Sequence, residues 1–339
     1  MKTKHTAAAP SRAPGGIREA LRIDAESTVA AVAARMRQIV AEDLGARGAV
    51  VAMSGGVDSS VCAGLAVRAL GPERVVGLML PERDSADRDQ VLAEQWAVDL
   101  GIEAITENIS PILEAAGCYR RRDEAIRRVV PAFGAGWQCK VGYGDGSGAA
   151  RLNVWYLTTR SPDGDIQKVR LTPDAYRQIV AATNFKQRVR KMLEYYHADR
   201  LRYAVMGTPN RLEYDQGFFV KGGDGLADVK PIAHLYKTQV YQLAELLGVP
   251  AGVTERAPTT GTYSLPQTQD EFYFTLPLEQ MDCVMYGLNH GMPPQQVAEE
   301  IGLPVAEVER AYHEIARKRV ATRYLQLPPL LVADVPEIR

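Results

Sequence analysis

The chain has 339 residues, and its 40 basic and 41 acidic side chains give a formal net charge of −1. This length is enough for one large or two modest domains with an ample core. The balanced charge argues against a nucleic-acid partner or a membrane surface. The four cysteines lie far apart without a CxxC pair, so the sequence indicates neither a zinc cluster nor a disulfide framework. A reducing cytoplasm is the simplest location.

The N-terminal region is predicted to be a flexible tail followed by a helix. Residues 1–16 are basic and small, and they lack the apolar segment of a signal peptide. We place the tail over residues 1–20. Residues 26–44 are typical of a helix that leads into the first strand. No apolar stretch approaches the roughly 20 residues that span a bilayer, so no membrane partner is expected.

A short apolar run over residues 48–53 precedes the sequence SGGVDSS at 54–60. The run predicts a buried strand, and residues 57–70 fit a helix that packs against it. Backbone N–H groups in a glycine turn and the positive end of a helix both attract anions, so the turn predicts a phosphate or pyrophosphate site. It is not a Walker A loop, because the Gly-Lys-Ser/Thr ending is absent from the chain. The alternative is an ordinary glycine turn between a strand and a helix.

The following elements predict a doubly wound parallel sheet of the α/β class. Strands are expected at 74–80 and 103–108, and helices near 87–100 and over 111–130. Alternating strands and helices with short connections are typical of this fold. The sheet is expected to resume with a strand at 203–207. Ligands of such sheets bind beyond the carboxyl ends of the strands, where the glycine turn already lies.

Residues 137–171 interrupt the alternating pattern. Two β-rich runs flank a Pro-Asp-Gly turn, so the segment is predicted to be an inserted β-hairpin. It could reshape a pocket, cover it or extend a dimer surface. A long helix over 173–200 follows, with Pro173 at its first position.

The remaining sequence predicts one α/β domain over residues 21–275, which includes the insertion. Within it, residues 259–275 are rich in Thr, Gly and Gln and predict a loop. Residues 276–330 are expected to be a helical extension of the same domain, and 331–339 a short tail.

The C-terminal helices, near 277–290, 293–301 and 304–320, allow a second interpretation. The last two read like a helix-turn-helix, which would suit a nucleotide-sensing DNA-binding regulator. The position that would read bases carries Glu307 and Glu309, which suit phosphates poorly. A helical pair that packs at the end of the domain is the preferred interpretation.

Two segments carry a family resemblance. The turn SGGVDSS resembles the loop with which ATP pyrophosphatases grip the β- and γ-phosphates. GTPNRLEYDQGFFVKGGDGLADVKPIAHLYKTQV, at 207–240, resembles the ammonia-dependent NAD synthetases of that superfamily. The N-x-K-x-R-x-R-x-M pattern at 184–192 and the motifs at 257–259 and 267–271, from a flexible substrate-covering loop, are similar to theirs too.

The resemblance implies a Rossmann-like ATP pyrophosphatase fold and an amide-forming ligase. ATP would adenylate the carboxylate of deamido-NAD⁺ with release of pyrophosphate, and ammonia would then displace AMP to give NAD⁺. Arg317 stands where the family commonly has histidine, and Thr260 and Gly261 also depart from its pattern. The same chemistry on a different small carboxylate therefore stays open. A homodimer is implied, with ammonia arriving free or from a separate glutaminase subunit.

The expected magnesium site consists of Asp58 and Glu213. Glu213 begins a helix after a strand that ends beside the first loop, so both carboxylates can join one Mg²⁺ with substrate phosphates. Lys237 is placed to offset negative charge on the phosphates, and Asp228 or its neighbours to orient ammonium or take its proton. Taken singly, Glu213 and Arg188 could be surface helix residues and Asp228 a turn former.

The other residues that the resemblance assigns contact one of the two substrates. Those expected to bind ATP are Ser54, Gly55, Gly56, Val57, Asp58, Ser59, Ser60, Thr208, Lys237 and Thr259. Those expected to bind the dinucleotide are Arg188, Lys221, Asp228 and Lys318.

Overall fold

The computed structural model describes residues 15–143, 154–274 and 276–337. The strands in these residues form two sheets and are, in chain order, β1 (Ala49–Ala52), β2 (Val75–Met79), β3 (Glu103–Thr106), β4 (Gln138–Tyr143), β5 (Trp155–Arg160), β6 (Ile166–Arg170) and β7 (Ala204–Met206). Strands β3, β2, β1 and β7 pair in that order as a parallel sheet. Strands β4, β5 and β6 form an antiparallel sheet.

The described helices surround these sheets. The α-helices are, in chain order, α1 (Ile17–Ala20), α2 (Ala25–Gln38), α3 (Val57–Leu70), α4 (Asp87–Leu100), α5 (Ser110–Ala115), α6 (Cys118–Arg127), α7 (Pro173–Leu201), α8 (Arg211–Gln216), α9 (Lys237–Leu247), α10 (Ala251–Thr254), α11 (Gln269–Phe272), α12 (Leu278–Asn289), α13 (Pro294–Ile301) and α14 (Val305–Gln326). A π-helical turn, Ile39–Asp43, extends α2, and a 3₁₀ turn, Pro72–Arg74, precedes β2.

The parallel sheet is covered on both faces, which confirms the predicted doubly wound α/β class. Successive residues of a strand point to opposite faces. Accordingly, Val51 of β1 packs into a core with α2, α3 and α9, while its neighbour Val50 packs into a second core with α5 and α7. The helices that form these two cores do not cover the carboxyl ends of the strands, and sheets of this kind bind their ligands at that edge.

The insertion is larger than the predicted hairpin. Strands β5 and β6 flank the Pro-Asp-Gly turn as expected, but β4 adds a third strand that pairs with β5. Its sequence alternates, with Cys139 and Val141 fully buried, which is the period of a half-buried strand. The glycine-rich sequence at 142–148, which is typical of a turn cluster, begins inside β4, because residues 142 and 143 belong to that strand. Residues 144–148, and 151–153 at the beginning of the next β-rich run, lie outside the described residues.

Two helical predictions need correction. The helix expected over 111–130 is divided into α5 and α6 at Gly117, whose φ of 71° lies in the left-handed region that ends a helix. The tail predicted over residues 1–20 is too long, because α1 begins at Ile17. Ile17 and Leu21, one helical turn apart, are buried against the C-terminal helices. Residues 1–14 lie outside the described chain.

The C-terminal helices pack together in one core. Val297 and Ile301 of α13 and Val308, Ala311 and Ile315 of α14 are buried in one core with α12. This core uses the apolar faces of both helices, as the preferred interpretation of a packed pair requires. The division of the chain at residue 275 stays a prediction. No helix in the described ranges is long and apolar enough to cross a membrane.

Candidate active site

The turn between β1 and α3 is held in place by its own small residues. Gly55 has a φ of 75°, and a Cβ there would lie 2.2 Å from the backbone oxygen of Asp89, so only glycine fits. The hydroxyls of Ser59 and Ser60 donate to the Gly56 carbonyl at 2.9 and 3.0 Å. No side chain caps the start of α3. The first turn of this helix is therefore suited to an anion.

Asp58 and Lys237 form a partly buried ion pair at this turn. Asp58 lies in the first turn of α3, and its Oδ2 accepts a hydrogen bond from Lys237 Nζ. Lys237 is the first residue of α9 and is only 1% exposed. A cation at the start of a helix is disfavoured by the helix dipole, so the charge of Asp58 is needed to hold it there.

Glu213 lies beside this pair in the first turn of α8. Asn210 N donates to Glu213 Oε2 at 3.0 Å, Glu213 N donates to Asn210 Oδ1 at 3.3 Å, and the two residues thus form a capping box. The Asn210 side chain also donates to Asp58 Oδ1 at 3.3 Å, so one residue contacts both carboxylates. Burial and the charge of Asp58 raise the pKa of Glu213 well above its ordinary value, and the charge of Lys237 opposes this shift.

The start of α9 is fixed from a distant part of the chain. Lys237 N and Thr238 N donate to the two carboxylate oxygens of Asp282, on α12, at 3.2 and 2.6 Å. Burial raises the pKa of Asp282 from 3.8 to about 6, although the two hydrogen bonds act in the opposite direction. Asp282 therefore accepts the hydrogen bonds that an N-cap side chain accepts at the start of a helix, here α9, which carries Lys237.

A cavity of about 670 Å³ opens above these side chains. Most of the residues predicted to bind ATP or metal line it, namely Ser54, Gly56, Val57, Asp58, Ser59, Thr208, Glu213, Lys237 and Thr259. Gly55 and Ser60 are buried within the turn instead. The structure thus brings together, at one sheet edge, segments that are far apart in the sequence.

The residues predicted to bind the dinucleotide do not line this cavity. Arg188 and Lys221 are exposed, and Arg188 Nε donates to the Lys221 carbonyl at 3.3 Å. Lys318 Nζ donates to the Tyr273 carbonyl at 2.6 Å and lies 4.1 Å from the centre of the Tyr273 ring. Lys318 therefore supports a cavity-lining aromatic residue from behind.

Asp228 lies outside the cavity as well. Its Oδ2 accepts a hydrogen bond from Val205 N of β7 at 2.8 Å, and its Oδ1 accepts one from the Tyr195 hydroxyl at 3.1 Å. Both bonds join Asp228 to the outer strand of the sheet and to α7. In this arrangement its carboxylate holds the backbone of the segment, and its predicted catalytic role stays a prediction.

Two cavity arginines were not among the predicted site residues. Arg190 lines the cavity and donates from Nε to the Leu80 carbonyl at 3.1 Å. It is two residues from Arg188 and therefore faces the other side of α7. Arg256 lines the cavity in an ion pair with Asp89. The sequence feature that could have identified Arg256 is its position directly before the Ala-Pro-Thr motif at 257–259.

The insertion also contributes to the cavity. Trp155 of β5 lines it, and its ring stacks on that of Tyr176 with 4.3 Å between centroids. Phe272 and Tyr263 complete this aromatic wall, with centroids 5.9 Å apart. Among the three roles that the sequence left open for the insertion, it could not select contact with the pocket, because the contact of Trp155 with Phe272 joins residues more than a hundred positions apart.

Comparison with known proteins agrees with this geometry. A family model described as NAD synthase matches residues 28–129 and 162–323. The NH(3)-dependent NAD(+) synthetase of Mesorhizobium japonicum is 54% identical over 317 residues, covering 94% of this chain and 99% of that protein. That of Thermotoga maritima is 36% identical over 255 residues, covering 73% of this chain and 82% of its own.

A solved structure shares the fold. The NH3-dependent NAD synthetase from Campylobacter jejuni superimposes with a TM-score of 0.59 at 18% identity, covering 92% of this chain and all (100%) of that one. At this identity the similarity establishes the architecture alone, whereas the family match and the closer relatives extend along most of the chain. This chain belongs to the NAD synthase family.

Proposed function

We propose that this protein is an ATP-dependent amide-forming ligase that converts deamido-NAD⁺ to NAD⁺ with free ammonia. The observation that carries the proposal is the meeting of Asp58, Lys237 and Glu213 around one cavity beside an uncapped helix start. Curated relatives at 52–54% identity carry the name NH(3)-dependent NAD(+) synthetase, which supports this substrate over other carboxylates.

The donor set fits magnesium. Asp58 and Glu213 supply carboxylate oxygens, the ligands that Mg²⁺ prefers when it also binds substrate phosphates. The raised pKa of Glu213 reflects two nearby carboxylates in a buried place, which is an environment that a cation stabilises. When bound, Mg²⁺ would neutralise charge on the leaving pyrophosphate. Among the described residues no group of three or more His, Cys, Asp or Glu side chains is placed to hold a metal by itself.

The residues of the chain then perform three tasks. The turn at 54–60 and the start of α3 bind the terminal phosphates. Lys237, held by Asp58, stabilises the charge that develops as the carboxylate attacks the α-phosphorus. Enclosure of the cavity by Thr259 and its loop keeps water from the acyl-adenylate until ammonia attacks. A fourth task, to orient ammonium or take its proton, is proposed for Asp228, and it requires the carboxylate to leave Val205 N and the Tyr195 hydroxyl, which it binds outside the cavity.

The dinucleotide is proposed to bind partly outside the cavity, at the interface of a homodimer. Arg188, Met192 and Tyr196 follow one another at helical spacing along α7 and are exposed, and the exposed Leu226 adds to the apolar area. Lys221 extends the basic part of this surface toward Tyr324. Large exposed apolar side chains beside basic ones are typical of an interaction surface. The four cysteines are free and buried, which supports a cytoplasmic location.

The test is a reconstitution with three measured products. The protein is incubated with Mg-ATP, ammonium and deamido-NAD⁺, and AMP, pyrophosphate and NAD⁺ are quantified. We expect equal amounts of each and no product in an Asp58→Asn variant. AMP formation only with another acid would overturn the substrate but not the reaction type. No AMP with any carboxylate would overturn the adenylation itself.

A further inference from the structure

Residues 257–273, here named the cover loop, close one side of the cavity. The loop carries Thr259, and its backbone doubles back on itself, with Thr259 bridging Thr268 and Thr260 N donating to the Gln267 carbonyl at 3.1 Å. Gln269 Nε2 donates to Glu213 Oε1 at 2.8 Å. The position of the loop therefore affects a proposed metal ligand directly.

The outer edge of β4 is paired with the cover loop. Leu265 N donates to the Cys139 carbonyl at 3.1 Å, and Cys139 N donates to Ser264 Oγ at 2.9 Å. Gln267 Nε2 donates to the Val141 carbonyl at 2.6 Å. A strand edge has backbone groups that need partners, and here the loop supplies them. The insertion thus holds the loop in the way that a sheet holds an added strand.

Charged and apolar contacts reinforce this attachment. Lys140 of β4 pairs with Glu271 and also donates to the Pro266 carbonyl at 3.3 Å. Tyr263 is buried in the core of the insertion with Leu157. The attachment therefore combines backbone and ionic contacts from β4 with apolar contacts in the core of the insertion, to which α6 and α7 also contribute.

The opposite side of the loop is fixed by a buried lysine. Lys186 Nζ donates to the Thr262 carbonyl at 2.8 Å and pairs with Glu82 and Asp84 at 2.8 and 2.7 Å. Lys186 is 1% exposed. With one side held by the sheet edge and the other by this ion-pair cluster, the loop rests between two rigid supports.

We propose that the inserted sheet positions the cover loop so that the acyl-adenylate reacts with ammonia and not with water. This inference rests on the proposed function. In the competing reaction, the oxygen of water forms a bond to the acyl carbon and the bond from that carbon to the AMP oxygen breaks. AMP leaves with the bonding electrons, the carboxylate is regenerated, and the protons pass to solvent. A loosened loop admits water and raises this loss.

Two variants loosen the attachment in different ways. Gln267→Leu keeps the side-chain volume and removes the donor to Val141, while Lys140→Gln with Glu271→Gln removes the ion pair at a partly exposed position. The matched control is Gln167→Ala on β6, because β6 is separated from the loop by β5 and β4. Loss of one such hydrogen bond is expected to shift the balance between open and closed loop by about fivefold.

The first readout is the ratio of AMP to NAD⁺ at saturating substrates and limiting ammonium. We expect a ratio near one in wild type and the control, and an excess of AMP in both loop variants. A ratio of one in both loop variants would overturn the inference, as would an equal excess in the control. If wild type forms no NAD⁺, the proposed function has failed rather than the inference.

The second readout needs no substrate. Cleavage by chymotrypsin within the cover loop, at Tyr263, Phe272 or Tyr273, follows the population of the open loop when opening is fast. We expect cleavage about fivefold faster in the two loop variants than in wild type or Gln167→Ala. Unchanged cleavage in both loop variants would show that the insertion does not hold the loop.

Discussion

The charged groups of Asp58, Glu213 and Lys237 are costly to place together unless they serve a ligand. Burial and the charge of Asp58 disfavour the ionised form of Glu213, which is why the pKa of Glu213 is raised. A stable fold would be easier to build with apolar residues at these positions. In the proposed complex, a divalent cation between the two carboxylates and a triphosphate would make the arrangement favourable. The energetic cost of placing these three groups together in the free protein therefore indicates a site that binds a ligand.

Replacement of Glu213 by glutamine separates its proposed metal role from its capping role. Glutamine at the third position of α8 can still accept from Asn210 N, so the capping box survives. It also removes a carboxyl group whose ionised form is disfavoured by burial and by the charge of Asp58. We expect adenylation, measured as pyrophosphate release, to fall by about 100-fold or more. The free energy of unfolding without nucleotide should stay within about 1 kcal/mol of wild type or rise.

Glu213→Ala serves as the comparison, since it loses both the carboxylate and the cap. It should also abolish adenylation, with an added loss of about 1 kcal/mol in stability. Near-normal turnover in Glu213→Gln would count against the metal assignment. A large loss of stability in that variant would instead indicate that the carboxylate is mainly structural.

At the scale of elements, helices α8 and α9 both begin at the cavity and both need an acceptor for their first N–H groups. Helix α8 finds it locally in Asn210. Helix α9 has a local capping box between Tyr236 and Gln239, and in addition it takes acceptors for the N–H groups of Lys237 and Thr238 from Asp282 of α12, 45 residues along the chain from Lys237. The placement of Lys237 therefore depends on how the C-terminal helices pack. Sequence patterns detect the local cap and cannot detect the remote one, because the latter exists only after folding.

The raised pKa of Asp282 predicts a pH-dependent stability. Its folded pKa of about 6 lies above the ordinary value of 3.8. Its contribution to stability is therefore fully present below pH 3.8 and is lost as the pH rises through about 6. Between pH 5 and pH 8, wild type should lose about 1 kcal/mol of unfolding free energy relative to Asp282→Asn. Urea unfolding of both proteins across this range measures the difference.

The control for this prediction is Glu279→Gln, which removes an exposed carboxyl from the same helix. Its unfolding free energy should run parallel to that of wild type across the pH range. A constant difference between Asp282→Asn and wild type would mean that Asp282 does not titrate there. A difference of the opposite sign would mean that the two backbone hydrogen bonds outweigh burial.

At the scale of the whole molecule, the sequence predicted the layers better than their connections. The β1 strand, its glycine turn and α3 follow from local patterns, and the family resemblance located Glu213 and Lys237. The pairing of β4 with the cover loop could not be predicted, because it joins residues about 125 positions apart. The role of Arg190 was missed for a simpler reason. Arg190 belongs to the recognised pattern at 184–192, but that pattern alone equally allows a solvated helix face for Arg188 and Arg190, and only Arg188 was assigned to the substrate.

Because the cavity is built from segments across most of the chain, ligand binding should stabilise the entire molecule. At about 100 times its dissociation constant, Mg-ATP adds about 2.7 kcal/mol to the free energy of unfolding. For a chain of this size the melting temperature should rise by about 5 °C, as measured by calorimetry.

ATP with a chelator should give a much smaller shift, because Asp58 and Glu213 then face the phosphates without a cation. Asp58→Asn should remove most of the metal-dependent part of the rise in melting temperature. Because this variant also loses the ion pair with Lys237, its melting temperature with Mg-ATP is compared with that of the same variant without ligand. An equal shift with and without metal would show that these carboxylates do not meet the nucleotide through a shared ion.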